Sequence, residues 1–333
     1  MNGSKIRWGI LGCGRIARKF AADLRLVDDA ELTAIASRNK ETLELFAKDF
    51  QCKHLHNSYE ALAANNEVDV IYVATPHSHH YEHTMLCLNH NKAVLCEKAF
   101  AINSRQASEM IKTAKERKVF LMEALWTKFL PHYKKLQELL QQKKLGDIKS
   151  VLANFGFKTS DKSPQRLFDP SLGGGSLLDI GIYNVFMTLS ILGKPDVIEA
   201  NMIAAPTGVD EQIAVLFKYN NGALAQLFSS FVTNLPIQAE INGTEGCITL
   251  TTRFYEPSAT IQFSKKIPYE REVIPVEKQP GFGYQYEARH VNECLKKGLV
   301  ESPVMTHEDT LLLMEILDTI RNKARIEYPQ DKL

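Results

Sequence analysis

The feature that most constrains the fold is a glycine-rich turn near the first residue, Gly12-Cys13-Gly14-Arg15-Ile16-Ala17. It follows the apolar run 6–11 and precedes an amphipathic stretch, so the sequence predicts a strand, a tight turn and a helix. Glycines permit the tight turn and let the backbone approach a pyrophosphate closely, and the N-terminal amides of the helix can bind that anion. The motif therefore predicts a dinucleotide-binding site. A structural turn in another kind of α/β protein is the alternative. The residues assigned to this dinucleotide site are Gly12, Gly14, Arg15 and Ile16.

Apolar strand patterns alternate with amphipathic helix patterns from residue 5 to about 123. Continuous apolar strands between amphipathic helices indicate a parallel, doubly wound Rossmann sheet, because both faces of such a sheet are buried. The predicted strands are 5–11, 31–37, 68–75, 92–96 and 118–122. The predicted helices lie near 15–26, 40–49, 59–65, 79–90 and 104–117.

The pattern changes after Glu123, where long strand-like runs predict an α+β domain with a large, mainly antiparallel open sheet. Asn220-Asn221-Gly222 is a hairpin signal between two of these runs, and Thr306-His307-Glu308-Asp309 predicts a helix start. The expected strands are 148–158, 197–205, 211–219, 222–232, 237–242 and 247–252, with helices at 131–144, 284–297 and 307–325. We therefore expect domains at 1–123 and 124–333, and helix 307–325 could pack back on the first domain.

Charge and cysteine content restrict the partners and the compartment. The chain has 40 basic and 39 acidic residues, a net charge of +1, which provides no electrostatic surface for nucleic acid or an anionic membrane. Six widely spaced cysteines without a CxxC pair indicate reduced core thiols. With no basic, apolar leader and no apolar run approaching about 18 residues, we expect a cytoplasmic protein with a small-molecule partner.

The predicted strand 31–37 ends at Ser37, and Arg38 follows it directly, at the position where the fold meets the adenosine ribose of the cofactor. An NAD-specific fold usually places an acidic residue there for the ribose hydroxyls. A guanidinium beside a hydroxyl instead suits a 2′-phosphate, so NADP is preferred and NAD is still possible. A solvated basic loop is the alternative interpretation.

Two further strands deliver polar side chains to the same edge of the predicted sheet. Thr75, Pro76 and His80 follow strand 68–75 and are expected to line the cofactor. The four histidines 77, 79, 80 and 83 raise the alternative of a metal site, which we do not favour because no acidic or cysteine ligand accompanies them. The next strand ends at Glu97-Lys98, where an ammonium near a nicotinamide could stabilise a nearby anion, although a surface lysine is the alternative.

A third constellation follows three glycines at 173–175. Asp179 and Tyr183 lie four residues apart and therefore on one face if the segment is helical. A carboxylate beside a phenol is a plausible acid/base pair, whereas a packed core tyrosine is the alternative.

In order and spacing these motifs resemble the glucose-fructose oxidoreductase, inositol dehydrogenase and rhizopine-catabolism family over nearly the whole chain. The segments 122–131, 177–183 and 328–332 are similar to the branch of dimeric dihydrodiol dehydrogenase and NADP-dependent D-xylose dehydrogenases. By this resemblance Lys98 matches the family lysine, Tyr183 the proton-transferring tyrosine and Asp179 the carboxylate before it. Trp126 and Phe155 match aromatic positions that wall the substrate site. Ala99 replaces the proline of the usual Glu-Lys-Pro motif.

The resemblance implies an NADP-dependent enzyme that transfers hydride between the cofactor and a hydroxyl of a sugar or cyclic diol. It also implies a homodimer formed through the C-terminal sheet. Action on an inositol or an amino sugar, and a non-catalytic NADP-sensing regulator, are the alternatives. Tyr183 argues against the inositol branch, which has histidine there, and the presence of both Lys98 and Tyr183 argues against the regulator.

Overall fold

The computed structural model describes residues 5–160, 165–265 and 270–332, and the chain divides into two compact units. The first unit comprises Met1–Lys128 and Gln279–Leu311. The second comprises Phe129–Lys278 and Leu312–Leu333. Each unit is built around its own sheet, and each sheet is described separately below.

The first unit contains a six-stranded parallel sheet with the strand order β3-β2-β1-β4-β5-β6. The order reverses between β1 and β4, and ligands of open α/β sheets bind at the carboxyl ends of the strands beside such a reversal. β4 and β5 are buried at every residue, as expected for strands covered on both faces. The strands are β1 (Ile6–Leu11), β2 (Ala30–Ala36), β3 (His54–His56), β4 (Val70–Val73), β5 (Ala93–Glu97) and β6 (Leu121–Ala124).

Helices connect these strands, and the predicted doubly wound fold is confirmed. β3 is an addition to the predicted strands, since its three residues are half-buried or exposed and carry no apolar run. The helices of this unit are α1 (Arg15–Leu24), α2 (Lys40–Asp49), α3 (Tyr59–Ala63), α4 (His80–Asn89), α5 (Ser104–Arg117) and α8 (Tyr284–Lys296).

The second unit contains an eight-stranded sheet with the order β14-β13-β12-β11-β7-β10-β9-β8. Among the strands that the structure describes here, the β10–β7 pair is parallel and the other pairs are antiparallel, so the predicted mainly antiparallel character is confirmed. Gly222, with a φ of 84°, closes the predicted hairpin between β9 and β10. The strands are β7 (Ile148–Gly156), β8 (Val197–Ala204), β9 (Asp210–Lys218), β10 (Leu224–Ser230), β11 (Gln238–Gly243), β12 (Gly246–Thr251), β13 (Thr260–Ser264) and β14 (Glu272–Ile274).

In the described residues the α-helices that lie wholly in this unit are α6 (Pro131–Gln141) and α7 (Ile182–Leu192), and a π-helical turn over Leu177–Gly181 leads directly into α7. Helix α9 (His307–Ala324) runs across the division at residue 311. The stretch Pro170–Leu192 is long and apolar enough to span a membrane by length and composition alone. Because 72% of its most apolar window is buried within the protein, it has the character of a core helix.

These units differ from the predicted domains at residues 124–128 and, over a longer segment, at residues 279–311, since both group with the first unit. Trp8 Nε1 donates to Asn292 Oδ1 over 3.0 Å, which ties α8 to β1. The Asp23 carboxylate in α1 accepts the backbone N–H groups of Phe282 and Tyr284, each over 2.8 Å. These contacts explain why the segment groups with the first unit. The boundaries of domains that fold independently stay a prediction.

Candidate active site

The glycine-rich turn between β1 and α1 has a geometry that suits a pyrophosphate. Gly12 has a φ of 97°, and a Cβ there would lie 2.9 Å from the carbonyl oxygen of Ala74. Gly14 is the N-cap of α1, and a Cβ at Gly14 would meet nothing within 4 Å. Over the part of the chain that the structure describes, no side chain caps α1, so the amides of its first turn at Arg15 and Ile16 fit an anion.

The loop after β2 presents a cation. Arg38 is exposed, and its guanidinium lies 5.4 Å from the ring centroid of Tyr59. Ser37 is buried, and its hydroxyl accepts the backbone N–H of Asn39 over 3.2 Å. Asn39 in turn caps α2 by accepting the N–H of Thr42 over 2.8 Å. Arg38 is therefore the side chain of this loop that can pair with a phosphate, while Ser37 shapes the loop.

The loop after β4 is held by histidines. His80 is fully buried, with its Nδ1 2.7 Å from the carbonyl oxygen of Ala99 and its Nε2 2.8 Å from that of Thr75. Burial lowers the pKa of His80 to about 4 despite the opposing effect of these carbonyls. His83 Nδ1 lies 3.0 Å from the Thr75 hydroxyl. His80 thus lies between the loops after β4 and β5, and its neutral ring donates one hydrogen bond to one of the two carbonyl oxygens. Thr75 and Pro76 are half-buried.

The histidine cluster does not assemble a metal site in the described residues 5–160, 165–265 and 270–332. Across those ranges no group of three or more His, Cys, Asp or Glu side chains is arranged to hold a metal ion. His79 and His83 instead stack on each other at 5.5 Å between ring centroids.

The end of β5 fixes the backbone at Lys98. The Tyr72 hydroxyl donates to Glu97 Oε1, and the Lys98 backbone N–H donates to Glu97 Oε2 over 3.2 Å. Burial raises the pKa of the Tyr72 hydroxyl, which therefore stays a donor to this carboxylate. The Lys98–Ala99 peptide bond is cis. Lys98 is half-buried at the carboxyl edge of the sheet, where the sequence predicts it.

The Trp126 ring packs against a residue, Tyr284, that the sequence does not predict as its neighbour. The two rings stack, with centroids 4.5 Å apart and planes 7° from parallel. Tyr284 is the first residue of α8, preceded by Gly283 with a φ of 111°. Helix 284–297 is predictable from its pattern, but a contact between residues 158 positions apart leaves no local signal.

In the second unit Tyr183 stands in the first turn of α7 within an aromatic cluster. Its ring centroid lies 6.0 Å from that of Phe155 in β7 and 4.7 Å from that of Tyr255. Phe155 and Tyr255 stack at 4.5 Å. Burial, and next the charge of Glu256, raise the pKa of Tyr255 to about 12. Sequence reasoning identifies Phe155 and Tyr183 but misses Tyr255, which follows β12 in a loop without a motif.

Asp179 lies in the π-helical turn and faces a cation. Its carboxylate is 3.4 Å from the Arg166 guanidinium, and its side chain is 14% exposed. The Asp179 backbone N–H points to the Gly175 carbonyl oxygen over 3.4 Å. Arg166 lies in a short 3-10 helical turn, Gln165–Phe168, within a connection whose path the sequence does not give, so this ion pair is not predictable from spacing.

The structure therefore groups the predicted residues by unit. Those at the carboxyl edge of the first sheet are Gly12, Gly14, Arg15, Ile16, Ser37, Arg38, Thr75, Pro76, His80, Glu97, Lys98 and Trp126. Those of the second unit are Phe155, Asp179 and Tyr183.

Comparison with known proteins identifies the family. Residues 6–125 match the model of an oxidoreductase family with an NAD-binding Rossmann fold, and residues 133–249 match the GFO/IDH/MocA C-terminal domain. The chain belongs to the GFO/IDH/MocA oxidoreductase family. The family resemblance drawn from the sequence is thereby confirmed, including the branch, since curated relatives carry the name of a dihydrodiol dehydrogenase.

Two of these relatives illustrate the similarity. The trans-1,2-dihydrobenzene-1,2-diol dehydrogenase of Xenopus tropicalis is 38% identical over 329 residues, which cover 97% of this chain and 99% of the relative. The enzyme of the same name from Homo sapiens is 36% identical over 338 residues, covering 98% and 99%. The similarity is thus not limited to the cofactor domain.

Solved structures of other members share the fold. KijD10, a 3-ketoreductase from Actinomadura kijaniata in complex with NADP and TDP-benzene, has a TM-score of 0.86 and 26% identity, covering 96% of this chain and 98% of KijD10. The aldose-aldose oxidoreductase from Caulobacter crescentus complexed with glycerol has a TM-score of 0.87 and 24% identity, covering 96% and 98%, and supports the fold alone. This GFO/IDH/MocA member is an oxidoreductase acting on CH–OH groups, with an NAD-binding Rossmann domain.

Proposed function

We propose that this oxidoreductase transfers hydride between NADP and a hydroxyl of a sugar or cyclic diol, of the kind represented by trans-1,2-dihydrobenzene-1,2-diol and D-xylose. The observation that carries the proposal is the 38% identity, over nearly the full length of both chains, to a trans-1,2-dihydrobenzene-1,2-diol dehydrogenase. Tyr183 serves as acid/base and Lys98 as its electrostatic partner.

The preference for NADP rests on the loop after β2. Arg38 presents an exposed guanidinium, and the two residues on either side of it, Ser37 and Asn39, bring no carboxylate to the loop. A carboxylate would repel the 2′-phosphate, whereas a guanidinium pairs with it. The complex of KijD10 with NADP supports this assignment at the level of the family.

The chemical step divides between proton and hydride. The glycine-rich turn and Arg38 would hold NADP, whose nicotinamide C4 would supply the hydride acceptor for the oxidation. Tyr183 takes the hydroxyl proton of the substrate, while the Lys98 ammonium stabilises the tyrosinate and the developing alkoxide. Asp179 orients a substrate hydroxyl or the lysine, and Trp126 and Phe155 cover the apolar face of the ring.

Solved variants of KijD10 change the same two residue types. Its solved structures include one variant that replaces a tyrosine by phenylalanine and others that replace a lysine by alanine or glutamate. A tyrosine and a lysine are also the pair assigned here at Tyr183 and Lys98.

The test is a turnover assay that follows nicotinamide absorbance with NADP and, separately, NAD. The panel contains trans-1,2-dihydrobenzene-1,2-diol, D-xylose and other aldoses, and inositols. Turnover of a dihydrodiol or an aldose that is faster with NADP supports the proposal. Turnover of inositols alone would instead assign the enzyme to the inositol substrate class. Tight NADP binding without turnover of any compound in the panel would favour a non-catalytic NADP-sensing regulator.

We also propose that two copies of this chain associate through the open face of the eight-stranded sheet. This face exposes apolar side chains on β8 and β10, with Val197 46%, Ile203 59% and Leu224 46% exposed. Apolar surface in this position is buried favourably against a second copy. Light scattering after size exclusion should give a dimer for wild type and a monomer for Leu224→Glu, while Leu55→Glu in the first unit keeps the dimer. A monomeric wild type would refute this.

A further inference from the structure

The C-terminal segment after α9 has no part in the function derived so far, although it is one of the segments that carry the family resemblance. Tyr328 is 1% exposed, and its hydroxyl donates to the carbonyl oxygen of Gly174 over 2.6 Å. Gln330 Nε2 donates to the Ser171 carbonyl oxygen over 2.9 Å. The first bond ends in the glycine run 173–175 that precedes Asp179 and Tyr183, and the second ends in the short turn Pro170–Leu172 just before it.

The segment is itself held in one conformation by α9. The Arg321 guanidinium lies 4.6 Å from the Tyr328 ring centroid and forms an ion pair with Asp331. The Tyr328 backbone N–H donates to the same Asp331 carboxylate over 2.9 Å. Arg321 is 4% exposed and Asp331 is partly exposed, so the buried guanidinium and the carboxylate together hold Tyr328 in place.

On the other side of the loop, Asp210 holds the start of the π-helical turn. Its Oδ2 accepts the Ser176 hydroxyl over 2.8 Å and the Leu177 backbone N–H over 2.6 Å. Asp210 is fully buried, so both bonds form away from water. The Asp210 carboxylate, which belongs to strand β9, therefore caps the N-terminus of the π-helical turn as a local N-cap side chain would.

Gly175 lies against both the Asp210 carboxylate and the Tyr328 hydroxyl. Its φ is 111°, and a Cβ at this residue would collide with Asp210 Oδ1 and lie 3.2 Å from the Tyr328 hydroxyl oxygen. The backbone of Gly174 is enclosed as well, since its N–H donates to the Asp169 carbonyl oxygen over 2.9 Å. The loop thus has little freedom to shift relative to Tyr328 and Asp210.

We propose that Tyr328 and Asp210 are positioning residues that clamp the loop 174–177 and thereby set the placement of Asp179 and Tyr183. Asp179 follows the clamped loop by two residues and Tyr183 by six. Misplacement of an acid/base group by about 1 Å costs up to about a hundredfold in rate. The proposal rests on the proposed function in that Tyr183 is taken as the group whose placement matters.

The test compares Tyr328→Phe with Tyr219→Phe. Tyr219 is a matched control, because its hydroxyl also donates to a glycine carbonyl, that of Gly193 over 3.2 Å, at the opposite end of α7. Hydrogen exchange of peptides covering 173–181 is measured on the full chain, along with kcat for NADP and trans-1,2-dihydrobenzene-1,2-diol and the Kd for NADP. Asp210→Asn is a second variant of the same clamp.

We expect Tyr328→Phe and Asp210→Asn to increase exchange in 173–181 and to lower kcat by about tenfold, with the Kd for NADP unchanged. Tyr219→Phe should leave exchange in 173–181 and kcat at the wild-type level. Wild-type exchange in both clamp variants, or faster exchange with wild-type kcat, overturns the proposal. A Tyr183→Phe variant measured alongside decides the proposed function separately: if it keeps wild-type kcat, the acid/base assignment fails, while the exchange data still show whether the loop is clamped.

Discussion

Arg38 is the residue on which cofactor preference depends in this account. Replacing it by alanine removes the guanidinium that pairs with the 2′-phosphate, and should weaken NADP binding by about 10- to 100-fold while NAD binding stays within about twofold. Fluorescence titration of both cofactors measures this. Arg25→Ala is the matched control, since Arg25 also stacks on an aromatic ring, that of Phe50 at 4.8 Å, away from the loop. Equal losses of NADP and NAD affinity in Arg38→Ala would contradict the assignment.

At the scale of single residues, the sequence predicts those that belong to a recognisable local motif, such as Gly12 or Lys98. It does not predict the partners that fix them. These partners come from distant parts of the chain: Tyr72 donates a hydrogen bond to Glu97, Tyr284 stacks on Trp126, and Tyr255 stacks on Phe155. His80 shows the same limit, because its motif places it in the cofactor loop while packing buries it behind Thr75.

At the scale of elements, the start of α9 is a capping box whose worth can be measured. The Asp309 N–H donates to the Thr306 hydroxyl over 3.1 Å, and the Thr306 N–H donates to the Asp309 carboxylate over 3.2 Å. Thr306→Ala should lower the free energy of unfolding by about 1 kcal/mol, measured by urea denaturation.

Thr319→Ala tests whether this loss comes from the cap. Thr319 lies inside the same helix, and its hydroxyl donates to the Glu315 carbonyl oxygen over 2.8 Å. Alanine is the better helix former there, so stability should be unchanged or slightly higher. A similar loss in both variants would show that the cap has no special role.

Elements with strong periodicity or clear end signals are predictable for physical reasons. Apolar strands and capped helices report their own burial, which is why β1 and α9 match the sequence patterns closely. β3 and β14 have three residues each, too few for a periodic pattern, so pairing with a neighbouring strand defines them. The π-helical turn before α7 depends on Asp210 in β9, and no local sequence pattern contains that contact.

At the scale of the whole molecule, stability should depend on pH through His132. This histidine is buried in the second unit, with Nε2 2.8 Å from the Phe254 carbonyl oxygen, and burial lowers its pKa to about 4. A neutral imidazole in the folded state takes up a proton on unfolding below the unfolded pKa of about 6.5. The stability that the neutral His132 contributes is therefore fully present above pH 6.5 and is lost as the pH falls toward 4.

The measurement compares wild type with His132→Gln by urea denaturation at pH 7 and pH 5. Between these values wild type should lose about 2 kcal/mol more than the variant, which has no titrating group at this position. The same difference between the two proteins at both pH values would contradict a neutral buried His132.

The central claim, that Tyr183 performs acid/base catalysis in an NADP-dependent dehydrogenase, is tested most directly by the kcat of Tyr183→Phe with NADP and trans-1,2-dihydrobenzene-1,2-diol. Loss of the hydroxyl should lower kcat by about two to four orders of magnitude and leave the Kd for NADP nearly unchanged. Tyr219→Phe, which removes a hydroxyl at the other end of α7, should keep wild-type kcat. A wild-type kcat in Tyr183→Phe would contradict the account.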